Sequence, residues 1–277
     1  MLRKSLAALV VIIAARSIVF AETQRIVRFR ATDGVTITGT YYPVKENPAP
    51  VVLLIHSVSR NRTIWDSFAK LLQQNGLAAL AIDLRGHGDS IRKQTADGVA
   101  TMDFHNFATG DYQDMLLDIE AAVDWLLAQP GIDGKHVALV GESFGANLVL
   151  RYAYINEDVA AVVVFSPGIN YRTVRTDDVI AAVGHRPLRI FVSQLDSFAF
   201  ESCKRLVEIQ RSWGVEQPTN ELTVCTGNLH GSDMLTGVRN LPQITANWLK
   251  IALTQRAASS VTNAPPASSG NTSNPPK

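Results

Sequence analysis

Short apolar runs alternate with stretches of helical spacing through the middle of this 277-residue chain, and no other feature narrows the possible folds as much. Val51–Ile55, Leu77–Ile82, Val137–Val140 and Val159–Phe165 carry no polar residue at all, which is the composition of strands covered on both faces. Ile190–Leu195 and Leu222–Cys225 read as two further strands. Residues 62–75 put Ile64, Trp65, Phe68, Leu71 and Leu72 on one side and stop at Asn75-Gly76, the signature of an amphipathic helix and its end. Residues 112–128 repeat the pattern with Met115, Leu116, Ile119, Val123 and Leu126, stopped by Pro130-Gly131. Helices are also predicted near 144–155, 200–212 and 234–252. Ahead of them, Arg25–Ala31 and Val35–Tyr41 flank Thr32-Asp33-Gly34, a hairpin signal. A hairpin followed by repeated strand–helix units predicts an α/β fold, a largely parallel sheet with helices on both faces.

The two ends read differently from the middle. Arg3 and Lys4 precede the apolar run Leu6 to Ala15, and the segment closes on Val19-Phe20-Ala21. This is the three-part layout of a secretory signal peptide, residues 1–21, with cleavage expected after Ala21. An uncleaved anchor is the competing reading, but the run is short against the roughly 20 residues a span needs, and Arg16 interrupts it. The expectation is an exported protein, periplasmic or secreted, with no stable membrane insertion once the leader is gone. Residues 254–277 are Ser, Thr, Asn, Pro and Ala with few large apolar groups, so they are expected to be disordered. The folded domain is then residues 23–253.

Charge excludes one class of partner. The chain has 26 basic and 25 acidic residues, and losing the leader's three basic residues leaves 23 against 25. A near-neutral chain without a Lys/Arg-rich run lacks the footprint that nucleic acid requires. Cys203 and Cys225 are not at zinc-like spacing. In an oxidising compartment a disulfide between them is permitted, with two buried free thiols as the alternative.

The richest stretch is Val137-Ala138-Leu139-Val140-Gly141-Glu142-Ser143-Phe144-Gly145-Ala146-Asn147-Leu148. It reads as strand, Gly-x-Ser-x-Gly, then helix, the context of a nucleophile elbow. Gly141 and Gly145 leave room for a sharp turn that projects Ser143 above the sheet edge. The backbone N–H of Phe144, opening the helix, is then a donor for a developing oxyanion. A serine nucleophile needs a base and an orienting acid, and in this architecture they follow in the order acid, then histidine. Of the two histidines after Ser143, His185 precedes a strand, whereas His230 leaves one at its carboxyl end, so His230 is the expected base. Asp196 follows Arg189–Leu195 and is placed as the acid. Asp177 and Asp178 are read as opening a helix, Asp233 as capping one, and Asp158 precedes a strand at the opposite edge; Glu201 is next in line. The second oxyanion donor is expected after strand 51–55, from the N–H of Val58 or of Ser57, with His56 shaping that loop. Asp83-Leu84-Arg85-Gly86-His87-Gly88-Asp89-Ser90 has too few, too closely spaced ligands for a metal and reads as a hydrogen-bonded structural loop.

Together these stretches resemble the α/β-hydrolase superfamily over most of residues 25–253, with the nearest look to lid-poor dienelactone-hydrolase-like and serine-esterase-like members. The elbow at Ser143, the Asp-x-Arg-Gly-His-Gly loop at Asp83 to Gly88, and the late Asp196 and His230 carry the likeness. The resemblance implies an α/β-hydrolase fold with a sheet of about eight strands, a Ser-His-Asp triad and no cofactor or metal. Members usually carry His-Gly after the third strand, where this chain has His56-Ser57. Dienelactone hydrolases proper use cysteine at the nucleophile, where this chain has Ser143.

The expected activity is hydrolysis of a small-molecule carboxylic ester through an acyl-enzyme, by a carboxylesterase-like serine hydrolase. Gly168 to Pro187 is a short connection between the strand ending at Phe165 and the one starting at Arg189, so any cap is expected to be minimal. Peptidase and thioesterase chemistry use the same machinery, and a non-catalytic binding protein can keep the fold.

Overall fold

The computed structural model describes residues 23–215 and 220–262, with side chains as far as residue 254. The expected leader, residues 1–21, and the tail beyond Thr262 lie outside the described residues. In chain order the elements are β1 (Arg25–Arg30), β2 (Val35–Tyr42), β3 (Ala49–Ile55), α1 (Asp66–Gln74, entered through a 3₁₀ turn at Arg62–Trp65) and β4 (Ala78–Ile82). There follow β5 (Arg92–Thr95), β6 (Gly98–Thr101), α2 (Thr109–Gln113), α3 (Leu116–Leu127), β7 (Ile132–Glu142), α4 (Phe144–Ile155) and β8 (Val159–Phe165). The last third supplies β9 (Asn170–Tyr171), β10 (Val174–Arg175), α5 (Ile180–Val183), β11 (Leu188–Ser193), α6 (Ser197–Ser212), β12 (Glu221–Cys225), α7 (Asp233–Gly237) and α8 (Leu241–Thr262).

Six strands run parallel in the order β12-β11-β8-β7-β3-β4. β2 closes antiparallel on β4, and β1 pairs antiparallel with β2. The chain builds outward from β3 to β4, then returns to β7 on the other side of β3 and builds the opposite way. That reversal opens a crevice at the carboxyl ends of β3 and β7, where sheets of this kind bind ligands.

The strands alternate their side chains between two cores. Val51, Leu53 and Ile55 of β3 enter the core under α3, α4 and α6, whereas Val52 and Leu54 enter the core under α1 and α8. β4 gives Ala78, Leu80 and Ile82 to the first core and only Ala79 and Ala81 to the second, which also receives Trp65, Phe68 and Leu72. Each fully buried Leu or Val contributes on the order of 1.5–3 kcal/mol, so a sheet with both faces covered anchors its central strands firmly. Cys203 sits in the first core and Cys225 in the second. The sheet separates them, and both are free thiols.

The sheet has ten strands rather than about eight, because residues 92–101 add the β5–β6 hairpin beside β2. The predicted helix over 112–128 is broken into α2 and α3, and the one over 62–75 begins as a 3₁₀ turn. The last predicted helix is also split. Asn240 adopts φ 63° between α7 and α8, and Pro242 lacks the N–H that a continuous helix would use. α8 runs on to Thr262, past the expected domain boundary at 253. Among the described residues no helix is long and apolar enough to cross a membrane, and no cluster of His, Cys, Asp and Glu is arranged to hold a metal ion.

Candidate active site

β7 ends at Glu142 and α4 begins at Phe144, so Ser143 alone makes the turn between them. Its backbone is at φ 49°, ψ −119°, outside the regions that a non-glycine residue prefers. The flanking glycines make this possible. A Cβ at Gly141 would strike the Gly145 carbonyl, and one at Gly145 would lie 2.5 Å from the His56 carbonyl oxygen. The Ser143 N–H donates to the Phe165 carbonyl at 2.7 Å, tying the turn to β8.

Asp196 and His230 meet. Asp196 stands at the N-terminal end of α6, but its carboxylate makes no cap hydrogen bond there. It turns instead to His230, whose Nδ1 donates to Oδ2 at 2.7 Å. This bond fixes the ring tautomer and leaves Nε2 as the lone-pair nitrogen. Asp177 and Asp178 lie ahead of α5 rather than opening it, and pair with Arg175 and Arg151, each at 2.6 Å. Asp233 sits inside the first turn of α7 and pairs with Arg60 at 2.9 Å, while Ser232 takes the cap position. These three acids are therefore engaged elsewhere.

Phe144 is the first residue of α4, where backbone N–H groups have no carbonyl one turn back. Its ring packs edge-on to Tyr112 at 5.7 Å. In the loop after β3 the Ser57 N–H is already given to Glu142 Oε1 at 3.1 Å, so of the two donors expected here that of Val58 is the one not so engaged. His56 is fully buried, donates from Nδ1 to the Ser57 carbonyl at 2.7 Å and accepts the Leu84 N–H on Nε2 at 3.0 Å. Burial drives its pKa down to about 4. It shapes the loop and stays uncharged near neutrality. His87 is similar: burial and the nearby His56 drive it down to about 4, and its ring stacks on Phe104 at 4.1 Å. The Asp83 carboxylate accepts the N–H groups of Arg62 and Asp89, each at 2.8 Å, and pairs with the Arg62 guanidinium. The Asp83–Ser90 segment is thus a hydrogen-bonded structural loop.

Three residues that the sequence reading did not single out organise the site. Glu142, 1% exposed, accepts the Ser57 N–H on one oxygen and the Ser232 N–H on the other, the latter at 2.6 Å. One carboxylate therefore ties the elbow to the Val58 loop and to the His230 loop. Ser166 accepts the Gly231 N–H at 3.0 Å and holds the same histidine loop from below. Tyr171 of β9 lies with its hydroxyl beside that of Ser143, within reach of a shared hydrogen bond. Burial, then the Asp196 charge, pushes the Tyr171 phenol up to about 12, so it stays a neutral donor. Ser143 and His230 make no direct hydrogen bond; such bonds in catalytic sites commonly tighten only when substrate docks.

The β9–β10 hairpin that carries Tyr171 is pinned to the elbow helix. Asn147 of α4 donates to the Val174 carbonyl at 2.7 Å and accepts the Gly168 N–H at 3.0 Å. Thr176 adds a bond to the Gly168 carbonyl at 2.7 Å. The small cap is therefore fixed to the same helix as the nucleophile candidate.

Residues 52–256 match the model of the alpha/beta hydrolase family. A polyketide transferase of Penicillium sp is 28% identical over 144 residues, 52% of this chain and 45% of that protein. A thiohydrolase of Aspergillus aculeatus is 26% identical over 165 residues, 58% of this chain and 48% of that protein. The chain matches less than half the length of these curated relatives. Among solved structures, an alpha/beta hydrolase from Penicillium superposes with a TM-score of 0.67 at 17% identity, covering 84% of this chain and 99% of that one. A Pyrococcus furiosus esterase superposes with a TM-score of 0.66 at 17% identity, covering 83% and 91%. At such identities the structural likeness shows the fold alone.

Proposed function

We propose that this chain, which belongs to the alpha/beta hydrolase family, is an exported serine hydrolase that cleaves carboxylic esters of small molecules. The observation that carries the reading is a serine in a strained strand-to-helix turn at the same sheet edge as a histidine already held by an aspartate, at 2.7 Å. Ser143 Oγ attacks the ester carbonyl carbon while its proton passes to His230 Nε2. Asp196 holds the ring and stabilises the imidazolium. The tetrahedral oxygen is received by the N–H groups of Phe144 and Val58, a contribution of about 10²–10³ in rate for one such donor. Collapse breaks the bond to the alcohol oxygen, which leaves with the proton from His230. Water then enters by the reverse sequence and frees the acid and Ser143.

The names of the relatives support a second substrate class. A polyketide transferase and a thiohydrolase both suggest an activated acyl group, and a thioester would be opened by the same steps. A panel of p-nitrophenyl esters, acyl thioesters and aminoacyl amides tests the reading. Turnover of esters or thioesters that disappears in a folded Ser143→Ala variant supports it; turnover that survives the substitution overturns it. The exported state has its own test, the intact mass of the recovered protein. A chain beginning at Glu22 supports export with cleavage, and a membrane-bound chain retaining Met1–Ala21 contradicts it.

A further inference from the structure

Three arginines that the catalytic reading does not use share one groove. Arg30 of β1 lies opposite Thr36 of β2, and Thr36 lies opposite Arg92 of β5. The three residues form one cross-strand row, so their side chains leave the same face. Arg28 lies two residues back on that face. All four line a groove of about 530 Å³, with Asp89, Ile91, Gln94 and Val99 completing it. β2 is three strands removed from β7, so this groove is separate from the Ser143 site.

The charges around it are settled, and these three are not. Asp89 is held by Arg62 at 2.7 Å. Lys93, next to Arg92, pairs with Asp33 at 3.0 Å. Among the described residues Arg28, Arg30 and Arg92 have no carboxylate, carbonyl or ring partner. Adjacent strands lie about 5 Å apart and alternate residues on a strand about 7 Å apart, so the three arginines leave the sheet within about 12 Å of one another. The Debye length at physiological salt is about 8 Å, and Arg30 stands about 7 Å from Arg28 and about 10 Å from Arg92, so their mutual repulsion is only partly screened. Edge protection explains part of the pattern, since β1 is an edge strand and charged edges resist unwanted pairing. It does not explain Arg92, because β5 lies between β2 and β6.

We propose that this groove binds the phosphate group of an anionic ligand. Guanidinium forks match the oxygens of a phosphate two at a time, and the Thr36 hydroxyl between Arg30 and Arg92 supplies a neutral donor at the centre of the row. A phospholipid headgroup and a soluble phosphate monoester present the same chemistry, and the assay below separates them.

The expressed protein is titrated with inorganic phosphate by calorimetry at fixed ionic strength, and pelleted with phosphatidylglycerol or phosphatidylcholine vesicles. Saturable phosphate binding that weakens at least tenfold in Arg30→Gln/Arg92→Gln, and is unchanged in the distant surface variant Arg211→Gln, supports the site. Thr36→Asp keeps all three arginines but sets a carboxylate among them, and should abolish binding equally. It also serves if the double variant fails to fold. Groove-dependent pelleting with phosphatidylglycerol but not phosphatidylcholine identifies a lipid headgroup; phosphate binding without vesicle preference identifies a soluble monoester. Absence of phosphate binding, or binding unaffected by folded groove variants, overturns the proposal.

Discussion

Replacing Glu142 by Gln is the most revealing single change in the site, because one buried carboxylate serves two loops. In the folded chain Oε1 accepts the Ser57 N–H at 3.1 Å and Oε2 the Ser232 N–H at 2.6 Å. A glutamine keeps the shape but offers one oxygen and one NH₂. Whichever way it turns, one backbone N–H faces another donor. A hydrogen bond to a charged group is worth about 1.5–3 kcal/mol, and a buried donor left unsatisfied costs about 1–3 kcal/mol. Because these overlap, a net loss of about 3 kcal/mol is expected. At about 2–4 °C per kcal/mol for a chain of this size, the melting temperature should fall by about 6–12 °C. The loops that shift carry His230 and Val58, and a displacement of about 1 Å at reacting groups can cost about 10²-fold in rate. Calorimetry gives the first number, and kcat for a p-nitrophenyl ester, taken well below the transition, gives the second. A lowered melting temperature with wild-type kcat would show that Glu142 braces the fold without positioning the site. If neither quantity moved, the clamp reasoning would be wrong.

Three further outcomes are expected. Asp196→Asn should lower kcat by about 10⁴, as loss of the orienting charge does in a Ser-His-Asp triad, with little change in melting temperature, while Asp177→Asn stays near wild type; the reverse ranking in a kinetic comparison would move the orienter elsewhere. Tyr171→Phe removes only the hydroxyl beside Ser143, and a neutral hydrogen bond of about 0.5–1.5 kcal/mol predicts a fall in kcat/KM of about 2–13-fold; an unchanged value would make Tyr171 a packing residue. His87 is held neutral, its pKa driven down to about 4 by burial, so between pH 6.5 and 4 the unfolded chain takes up a proton that the folded chain refuses, and stability drops as the pH falls. Melting curves of wild type should therefore lose more over that window than those of His87→Phe, and parallel curves would refute the assignment.

What the residues disclosed in advance follows from how local each constraint is. The elbow was legible because its demands are met within five residues: Gly141 and Gly145 are small where backbone approaches backbone, and the strand and helix around them are strongly apolar. Asp196 and His230 were legible through chain order and their position after strands. The β5–β6 hairpin was not, because its residues are mostly exposed and polar, so neither strand shows the period-two apolar pattern. Glu142 gave no local sign of its role, since its partners lie 85 and 90 residues away. Tyr171 was hidden for another reason. The turn that folds its hairpin uses Arg172 and Thr173 at φ 49° and 68°, positions where Gly or Asn would have announced a tight turn. The hairpin is held by tertiary bonds to Asn147 instead.

The central claim is that Ser143 is a nucleophile activated by the Asp196–His230 pair, and covalent capture tests it most directly. The protein is treated with a fluorophosphonate, its intact mass is measured, and the labelled peptide is mapped. One phosphonyl adduct per chain is predicted, on Ser143, absent in Ser143→Ala and formed far more slowly in Asp196→Asn. A folded protein that takes no label, or takes it on another residue, would contradict the account.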